Sequence, residues 1–322
     1  MTEPGGDIRP LAAAAPRRTS TGVAFTVQAR EVEVRGDADL VESVVGLCDG
    51  RRSLGELVDA VGPDRRGDVT ELVERLLAHG VLLDCTRAYR LFHWQSSNDS
   101  PFFRELDDDA LAALEAETFA PRAVLERAVD LEPRRTALER VIERRASAWA
   151  GPSRPVGFEE LSALLVAMYG GPRPPLDRRP VPSGGALYPL ALHVVAREAV
   201  GRLEPGLWWY DPAAGSLRLL RSDRLDVDHV FVSDPMTDPL VAAHNPLVFI
   251  SADLERGPRK YANRGYRWAL VEVGAVLQNA SLLAAELGLP IRAIGGFMDE
   301  AARDYLDLAD EVWPMLAVLL GR

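Results

Sequence analysis

Residues 259–289 read RKYANRGYRWALVEVGAVLQNASLLAAELGL, and this stretch does more than any other to decide the fold. From Trp268 to Leu287 it is apolar on nearly every side of a helix, with a few polar interruptions such as Glu272, which indicates a central core helix. The interruptions argue against a membrane span, which needs about 18 uninterrupted apolar residues. Gln278 and Asn279 would need buried partners on such a helix, either backbone or ligand.

The same stretch contains the only lysine of the chain, Lys260, and every other residue among the 37 basic ones is arginine. A lysine kept against such a bias indicates a need for an amine that can lose its proton, which a guanidinium cannot do. The competing interpretation is codon bias with one lysine retained by chance.

Three further segments have compositions suited to a ligand. Arg144, Arg145 and Ser147 lie at the predicted end of a helix, where guanidinium groups and a hydroxyl can hold a phosphate or a ribityl chain. Residues 181–189 read VPSGGALYP, in which the glycines let the backbone approach a flat ligand. Residues 294–299 read IGGFMD, and its glycine pair can turn backbone N–H groups towards a cofactor. Taken alone, each segment also fits an ordinary turn or a solvated surface.

The chain divides into four predicted parts, which are a disordered lead (1–21), a small module (22–90), a helical linker (91–135) and a large domain (136–322). The lead is rich in Pro, Gly and Ala. In the module, predicted strands Val23–Val27 and Glu31–Val34 come before three short helices, and Ser53 with Glu56 forms a capping-box pattern. This order of elements predicts a winged-helix-like unit.

The large domain mixes helices and strands without strict alternation, so it belongs to the α+β class. Predicted helices lie at 136–148, 158–169 and 266–287, and predicted strands at 190–197, 207–211, 216–220, 246–252 and 314–320. The strands after 190 are typical of an antiparallel meander. The sequence contains no GxGxxG, P-loop, HExxH or GxSxG motif, so a Rossmann dinucleotide site has no support.

The charge of the chain argues against polyanionic partners. The formal net charge is −11, and residues 23–84 contain seven arginines against thirteen acidic residues. A peptide- or partner-binding role therefore suits the module better than DNA binding, and a purely structural appendage is the alternative. With two cysteines, Cys48 and Cys85, no disulfide framework is available, and no secretory signal is recognisable. We expect a cytoplasmic protein without nucleic-acid or membrane partners.

The motifs PSGGALYP, KYANRGYRWALVEVGAVLQNASLLAAELGL and GGFMD, in this order, resemble those of nitroreductase-fold flavoproteins, specifically the SagB-type azoline dehydrogenases of ribosomal peptide maturation. The resemblance covers residues 136–322. It implies an α+β nitroreductase-like fold with FMN held at a homodimer interface, a peptide substrate and a cyclodehydratase complex as partner. The amino-terminal module is similar to the peptide-recognition domains of such proteins.

The resemblance also assigns cofactor contacts. Arg144, Arg145, Ser147 and the terminal Arg322 would hold the phosphate or ribityl chain. The residues that would contact the flavin ring are Pro182, Ser183, Gly184, Gly185, Gln278, Gly295 and Gly296. In one departure, Ala148 and Trp149 follow the serine where family members often place a second basic residue. Which arginine grips the phosphate is therefore left open.

The Lys-Tyr pair of this family falls on Lys260 and Tyr261. Oxidation of an azoline removes a proton from one ring carbon and a hydride from its neighbour, so Lys260 would take the proton with help from Tyr261.

Two other functions are compatible with the sequence, which are a nitroaromatic or quinone reductase with a nicotinamide donor and a catalytically silent flavoprotein scaffold. His193, His229 and His244 have no partners at metal-ligand spacing, and no metal site is predicted.

Overall fold

The computed structural model describes residues 8–27, 30–97, 136–148, 154–171, 178–233 and 238–321, together with the single positions 109, 112 and 113. The chain forms two compact units. The first comprises Met1–Ser96 together with Lys260–Arg264, and the second comprises Ser97–Arg259 together with Gly265–Arg322. The predicted linker at 91–135 lies largely outside the described residues, so the sequence-based domain boundaries stay predictions.

The described residues of the first unit contain two antiparallel sheets. Strands β2 (Arg17–Arg18), β3 (Gly22–Val27) and β4 (Arg30–Arg35) form a sheet in that order, and β1 (Pro10–Ala12) pairs with β5 (Leu82–Asp84). Its helices are α1 (Ala38–Leu47), α2 (Leu54–Val61), α3 (Arg66–Ala78) and α4 (Ala88–Gln95). The predicted capping box at Ser53 and Glu56 is present at the start of α2. The winged-helix-like class of this unit stays a prediction.

Part of the lead that was expected to be disordered is ordered, since β1 and β2 lie within residues 1–21. The reason is burial of apolar surface. Ile8, Ala12 and Ala14 pack against a core cluster that includes Phe25 and Leu57, and this burial offsets the entropy cost of ordering the segment.

The second unit is built on a six-stranded antiparallel sheet with the order β10-β11-β9-β6-β7-β8. The strands are β6 (Leu190–Ala196), β7 (Gly206–Asp211), β8 (Ser216–Arg221), β9 (Leu247–Asp253), β10 (Ile291–Ile294) and β11 (Val312–Leu320). The predicted antiparallel meander of β6, β7 and β8 is confirmed. Strand β10 was not predicted, because it has only four residues and Arg292 interrupts its apolar pattern.

The helices of the second unit are α5 (Ala137–Arg144), α6 (Phe158–Tyr169), α7 (Asp238–Ala243), α8 (Pro258–Tyr261), α9 (Arg264–Leu287) and α10 (Asp299–Leu306). The last two residues of α8 and the first of α9 fall in the first unit. One face of the sheet packs against residues of α7 and α10 in a single apolar cluster. These elements agree with the predicted α+β class.

Helix α9 is only partly the core helix that was predicted. Ala269, Val273 and Val276 are buried, whereas Trp268 and Val271 are exposed, so one apolar side faces outward. Among the described helices, only α9 has the length and composition to cross a membrane, and about a third of its most apolar window is buried. Core helices of soluble proteins pass the same test, so this is weak evidence for a span.

Candidate functional site

The glycine loop, residues 183–188, leads directly into β6. Gly185, Ala186 and Tyr188 all have left-handed backbone angles, with φ of 65°, 55° and 47°. This region is uncommon for residues other than glycine, and it persists where the surroundings hold the backbone in place. Such conformations cluster at ligand sites, which supports a functional interpretation of this loop.

Tyr188 is held at three points. Its backbone N–H donates to Oγ of Ser183 at 2.9 Å, and its hydroxyl accepts from the backbone N–H of Arg179 at 3.2 Å. The guanidinium of Arg179 lies 4.8 Å from the centre of the Tyr188 ring and 4.1 Å from that of Tyr169. These contacts explain how a tyrosine is kept in a left-handed conformation.

The glycine at position 184 is required by packing within the protein. A Cβ atom there would lie 2.8 Å from Cγ of Trp268, the residue on α9 against which the loop rests. The sequence predicted that Gly184 leaves room for a ligand, and the structure gives a different reason, which is the close approach of loop and helix. Pro182 and Gly185 are exposed beside it.

The second glycine pair, Gly295–Gly296, follows the last residue of β10. A Cβ atom added to Gly295 would meet nothing within 4 Å, and one at Gly296 would touch only the Ile294 side chain at 4.0 Å. The backbone is fixed in place because the Gly296 carbonyl accepts from the N–H of Val232 at 3.0 Å. Open space beside a fixed glycine backbone is the feature that a closely approaching ligand needs.

The other end of β10 gathers the predicted phosphate-binding residues. Ala148 donates its N–H to the Ile291 carbonyl at 2.9 Å, and Gly321 donates to the Pro290 carbonyl at 3.1 Å. The segment 144–147 and the end of β11 therefore meet at the start of β10. Ser147 and Arg145 are exposed there, and Arg322 lies outside the described residues.

Arg144 pairs with Glu286 at 2.7 Å, and both side chains are more than half exposed. An exposed ion pair of this kind contributes little to stability, so an anionic ligand could displace the carboxylate at small cost. The structure thus leaves both Arg144 and Arg145 able to hold a phosphate.

Sheet geometry separates the glycine loop from the Gly295–Gly296 pair within one chain. The two ends of β10 are about 10 Å apart, since its four residues make three steps of about 3.3 Å each. In the register of the sheet, Ile294 lies directly across from His193, at a distance of three inter-strand spacings. Strand β6 begins three residues before His193 along its own direction. Those offsets place Ile294 about 17 Å from the start of β6. The two glycine segments are therefore not neighbours within a single chain, and the prediction that both contact one flavin at a homodimer interface stays a prediction.

Lys260 and Tyr261 belong to the first unit. The Nζ atom of Lys260 lies 5.4 Å from the centre of the Tyr261 ring, within the range of a cation–π contact. Asn263 fastens this segment to the amino-terminal residues, because its Nδ2 donates to the Cys85 carbonyl at 2.7 Å and its Oδ1 accepts from the Tyr89 N–H at 3.4 Å. The glycine segments lie in the second unit, and a shared site with Lys260 stays a prediction.

Gly257 and Gly265, which lie on either side of segment 258–264, meet in a close backbone contact. A Cβ on Gly265 would lie 2.3 Å from the carbonyl carbon of Gly257 and 2.4 Å from the nitrogen of Pro258. A Cβ on Gly257 would lie 2.9 Å from the Gly265 carbonyl oxygen. Only glycine at both positions permits this approach.

The two amides of α9 differ in environment. Asn279 donates from Nδ2 to the Ala167 carbonyl at 2.9 Å, so it has a backbone partner as predicted. Gln278 is exposed in the single chain, so the apolar pattern of α9 did not bury this amide. Its contact with a flavin stays a prediction.

No role was predicted for Glu272, which is 1% exposed on α9. Its Oε1 accepts from the Tyr169 hydroxyl at 3.0 Å, and that hydroxyl accepts from the Leu190 N–H at 2.8 Å. Burial raises the pKa of Glu272, while the nearby Ser183 and Tyr169 hydroxyls act in the opposite direction. The sequence feature that could have pointed to Glu272 is an acidic residue among the buried positions of an otherwise apolar helix.

Within the described ranges, no group of three or more His, Cys, Asp or Glu side chains could hold a metal ion. His193 is buried, and burial lowers its pKa to about 4, so this histidine is neutral at physiological pH. Both cysteines are free thiols; Cys48 is buried, as expected of a small hydrophobic residue, whereas Cys85 is partly exposed.

The Nitroreductase family model matches residues 143–322 of this chain. The chain belongs to the nitroreductase family. It is 35% identical over 188 residues to the Methanocaldococcus jannaschii protein MJ1384, a nitroreductase by name, covering 58% of this chain and 90% of that protein. It is 31% identical over 170 residues to the microcin B17-processing protein McbC of Escherichia coli, covering 52% of this chain and 62% of McbC.

A solved structure supports the nitroreductase fold. The E. coli microcin synthetase McbBCD complex with truncated pro-MccB17 contains a chain that matches with a TM-score of 0.53 at 22% identity, covering 74% of this chain and 92% of that chain. The predicted nitroreductase-like fold is confirmed, as is the likeness to McbC-type members of this superfamily. This nitroreductase-family protein is therefore an oxidoreductase.

Members of this family typically bind flavin, and the described residues fit such a group. Exposed arginines and Ser147 stand at one end of β10, where they suit a phosphate. The open backbone at Gly295–Gly296 stands at the other end, where it suits a flat ring. An elongated ligand with one anionic end matches this arrangement.

Proposed function

We propose that this nitroreductase-family protein is an FMN-dependent dehydrogenase that oxidises thiazoline or oxazoline rings to thiazoles or oxazoles on a ribosomal peptide. The observation that carries the proposal is the likeness to McbC, a protein named for processing microcin B17. The only lysine of the chain, next to Tyr261, adds a base of the kind that this oxidation requires.

In this proposal, the residues of the chain have the following roles in the reaction. Arg144, Arg145 and Ser147 hold the FMN phosphate, and the glycine segments lie against its ring. Lys260 takes the proton from the azoline ring carbon, and Tyr261 orients the lysine amine by a hydrogen bond or relays the proton. Bound FMN supplies the acceptor for the hydride that leaves the neighbouring carbon.

We further propose that the site is completed in a homodimer. The two glycine segments are separated in one chain, and a second copy could bring its own glycine loop to the Gly295–Gly296 pair. Helix α9 offers an apolar face for this contact, with Trp268 and Leu270 about 40% exposed and Val271 55% exposed. Helix α5 presents Leu138 and Ile142 to solvent in the same unit.

Introducing a charge on this face tests the homodimer. Val271→Glu is expected to shift the protein from dimer to monomer, because a carboxylate would be buried without a partner at the contact. Light scattering after gel filtration measures the mass. Leu220→Glu on β8, where the side chain is similarly exposed, is the control and should leave the mass unchanged. A Val271→Glu protein that keeps the dimeric mass would rule out this face.

The partners in this proposal are a peptide substrate and a cyclodehydratase complex in the cytoplasm, with the first unit as the peptide- or partner-binding module. The test presents the FMN-loaded protein with an azoline-bearing peptide made by a cyclodehydratase. Each ring should lose two hydrogens, seen as a mass decrease. Purified protein without a flavin spectrum would overturn the FMN assignment.

The likeness to MJ1384 favours a second candidate, a flavin-dependent reductase of a nitroaromatic or quinone with a nicotinamide donor. Rapid oxidation of NADH or NADPH with such an acceptor, together with no change in azoline peptides, would support it. A catalytically silent scaffold would bind flavin, fail in both assays and still raise the activity of the cyclodehydratase.

A further inference from the structure

The Tyr169 hydroxyl binds Glu272, and the Ser183 hydroxyl lies near the same carboxyl group. Tyr169, the last residue of α6, donates to Oε1 of Glu272 and accepts from the Leu190 N–H. Ser183, the first residue of the glycine loop, accepts from the Tyr188 N–H and lies near enough to favour the ionised carboxylate. Each hydroxyl thus uses a lone pair for a backbone N–H at the entry to β6, and its proton remains for the carboxylate.

Burial makes a charged carboxylate at position 272 unfavourable in free energy. Burial raises the pKa of Glu272, and the Arg179 and Arg256 guanidinium groups act against this effect together with the two hydroxyls. Within the described residues, Oε2 of Glu272 makes no hydrogen bond. Because an apolar side chain at a buried site is often at least as stabilising as a charge, stability of the helix gives no reason for a glutamate here.

We propose that Glu272 is a positioning residue that fixes the glycine loop for ligand binding, by holding Tyr169 in place against Tyr188 and Leu190. This inference deepens the proposed function, because it takes the loop as part of the FMN site. The carboxylate binds the Tyr169 hydroxyl, which accepts from the Leu190 N–H, and the Tyr169 ring packs edge-on against Tyr188 with the ring centres 6.4 Å apart. It thereby keeps Tyr188 in its left-handed conformation and the loop against α9.

Glu272→Gln tests the proposal, since the amide keeps one acceptor oxygen and removes the charge. In flavin-free protein, hydrogen exchange at the Tyr188 and Leu190 amides should become about tenfold faster, as expected for the loss of one charge-assisted hydrogen bond. The Val194 amide in the middle of β6 should exchange as in the wild type. The temperature of unfolding should not fall, because the amide carries no charge to bury and its oxygen can still accept from the Tyr169 hydroxyl.

FMN affinity gives a second readout, and Glu272→Gln should weaken FMN binding about tenfold. Glu159→Gln on the exposed first turn of α6 is the matched control, and it should change neither exchange nor affinity. Tyr169→Phe should speed exchange at the same amides. The double variant should lose no more than the worse single variant, because both changes break one network.

Unchanged exchange at Tyr188 in Glu272→Gln, or additive effects in the double variant, would overturn the positioning role. Faster exchange at Val194 as well would mean general destabilisation, and it would also overturn the proposal. If the wild-type protein binds no FMN, the proposed function fails, but the exchange experiment still decides whether Glu272 holds the loop.

Discussion

Lys260→Ala is expected to slow azoline oxidation by at least about a hundredfold while the protein keeps its flavin, because a positioned general base contributes about 10²–10⁴-fold to a rate. The rate is followed as loss of ring hydrogens by mass spectrometry, and flavin content by absorbance. Retained flavin with lost oxidation would also exclude the silent scaffold. The change removes one amine from a segment held by Asn263, so the fold of the first unit should survive.

Lys260→Arg separates basicity from charge. A guanidinium keeps the positive charge but cannot give up its proton at neutral pH, so this variant should fail nearly as badly as alanine. Arg259→Ala removes the preceding exposed cation and should retain activity. If Lys260→Arg keeps most of the activity, then Lys260 acts through its charge, for example on the peptide or on an anion, and it is not the base.

Gly265→Ala is expected to lower stability by about 2 kcal/mol or more, which corresponds to a fall in unfolding temperature of about 5 °C. The reason is steric, since the new Cβ would lie 2.3 Å from the carbonyl carbon of Gly257. Backbone atoms cannot rotate away, so α9 or the segment before it must shift. Thermal unfolding followed by circular dichroism measures the change.

Gly46→Ala in α1 provides the control for the glycine substitution itself. A Cβ at Gly46 meets nothing within 4 Å, and alanine in a helix is favoured over glycine by about 0.5–1 kcal/mol. This variant should therefore be as stable as the wild type or slightly more so. Equal stability of Gly265→Ala and the wild type would mean that the contact between the two glycines relaxes without cost.

The sequence predicted the parts of the fold that have strong local signals. The apolar stretch at 266–287, the meander of β6 to β8 and the capping box at Ser53 each depend on residues close together in the chain. Strand β10 was not predicted, because four residues that include an arginine are too few to show the apolar pattern of a strand. Strand β1 of the lead was not predicted because its pairing partner, β5, lies about seventy residues away.

The candidate site was predictable as a set of residues and less so as an arrangement. Motifs pointed to both glycine segments, but only the strand register revealed their separation. The role of Glu272 depends on Tyr169, which is 103 positions away in the chain. Asn263 binds backbone atoms of Cys85 and Tyr89. Every residue type offers such backbone atoms, so these contacts could not be predicted from the side chains.

The contact between Gly257 and Gly265 also bears on how such an enzyme could diversify. Residues 258–264 form a short excursion that begins and ends at one point of the scaffold. An insertion or exchange between the two glycines would leave the preceding strand and the following helix where they are. The residues around Lys260, which we propose act on the substrate, could therefore change in evolution or by engineering without displacing the glycine segments that we propose hold the cofactor.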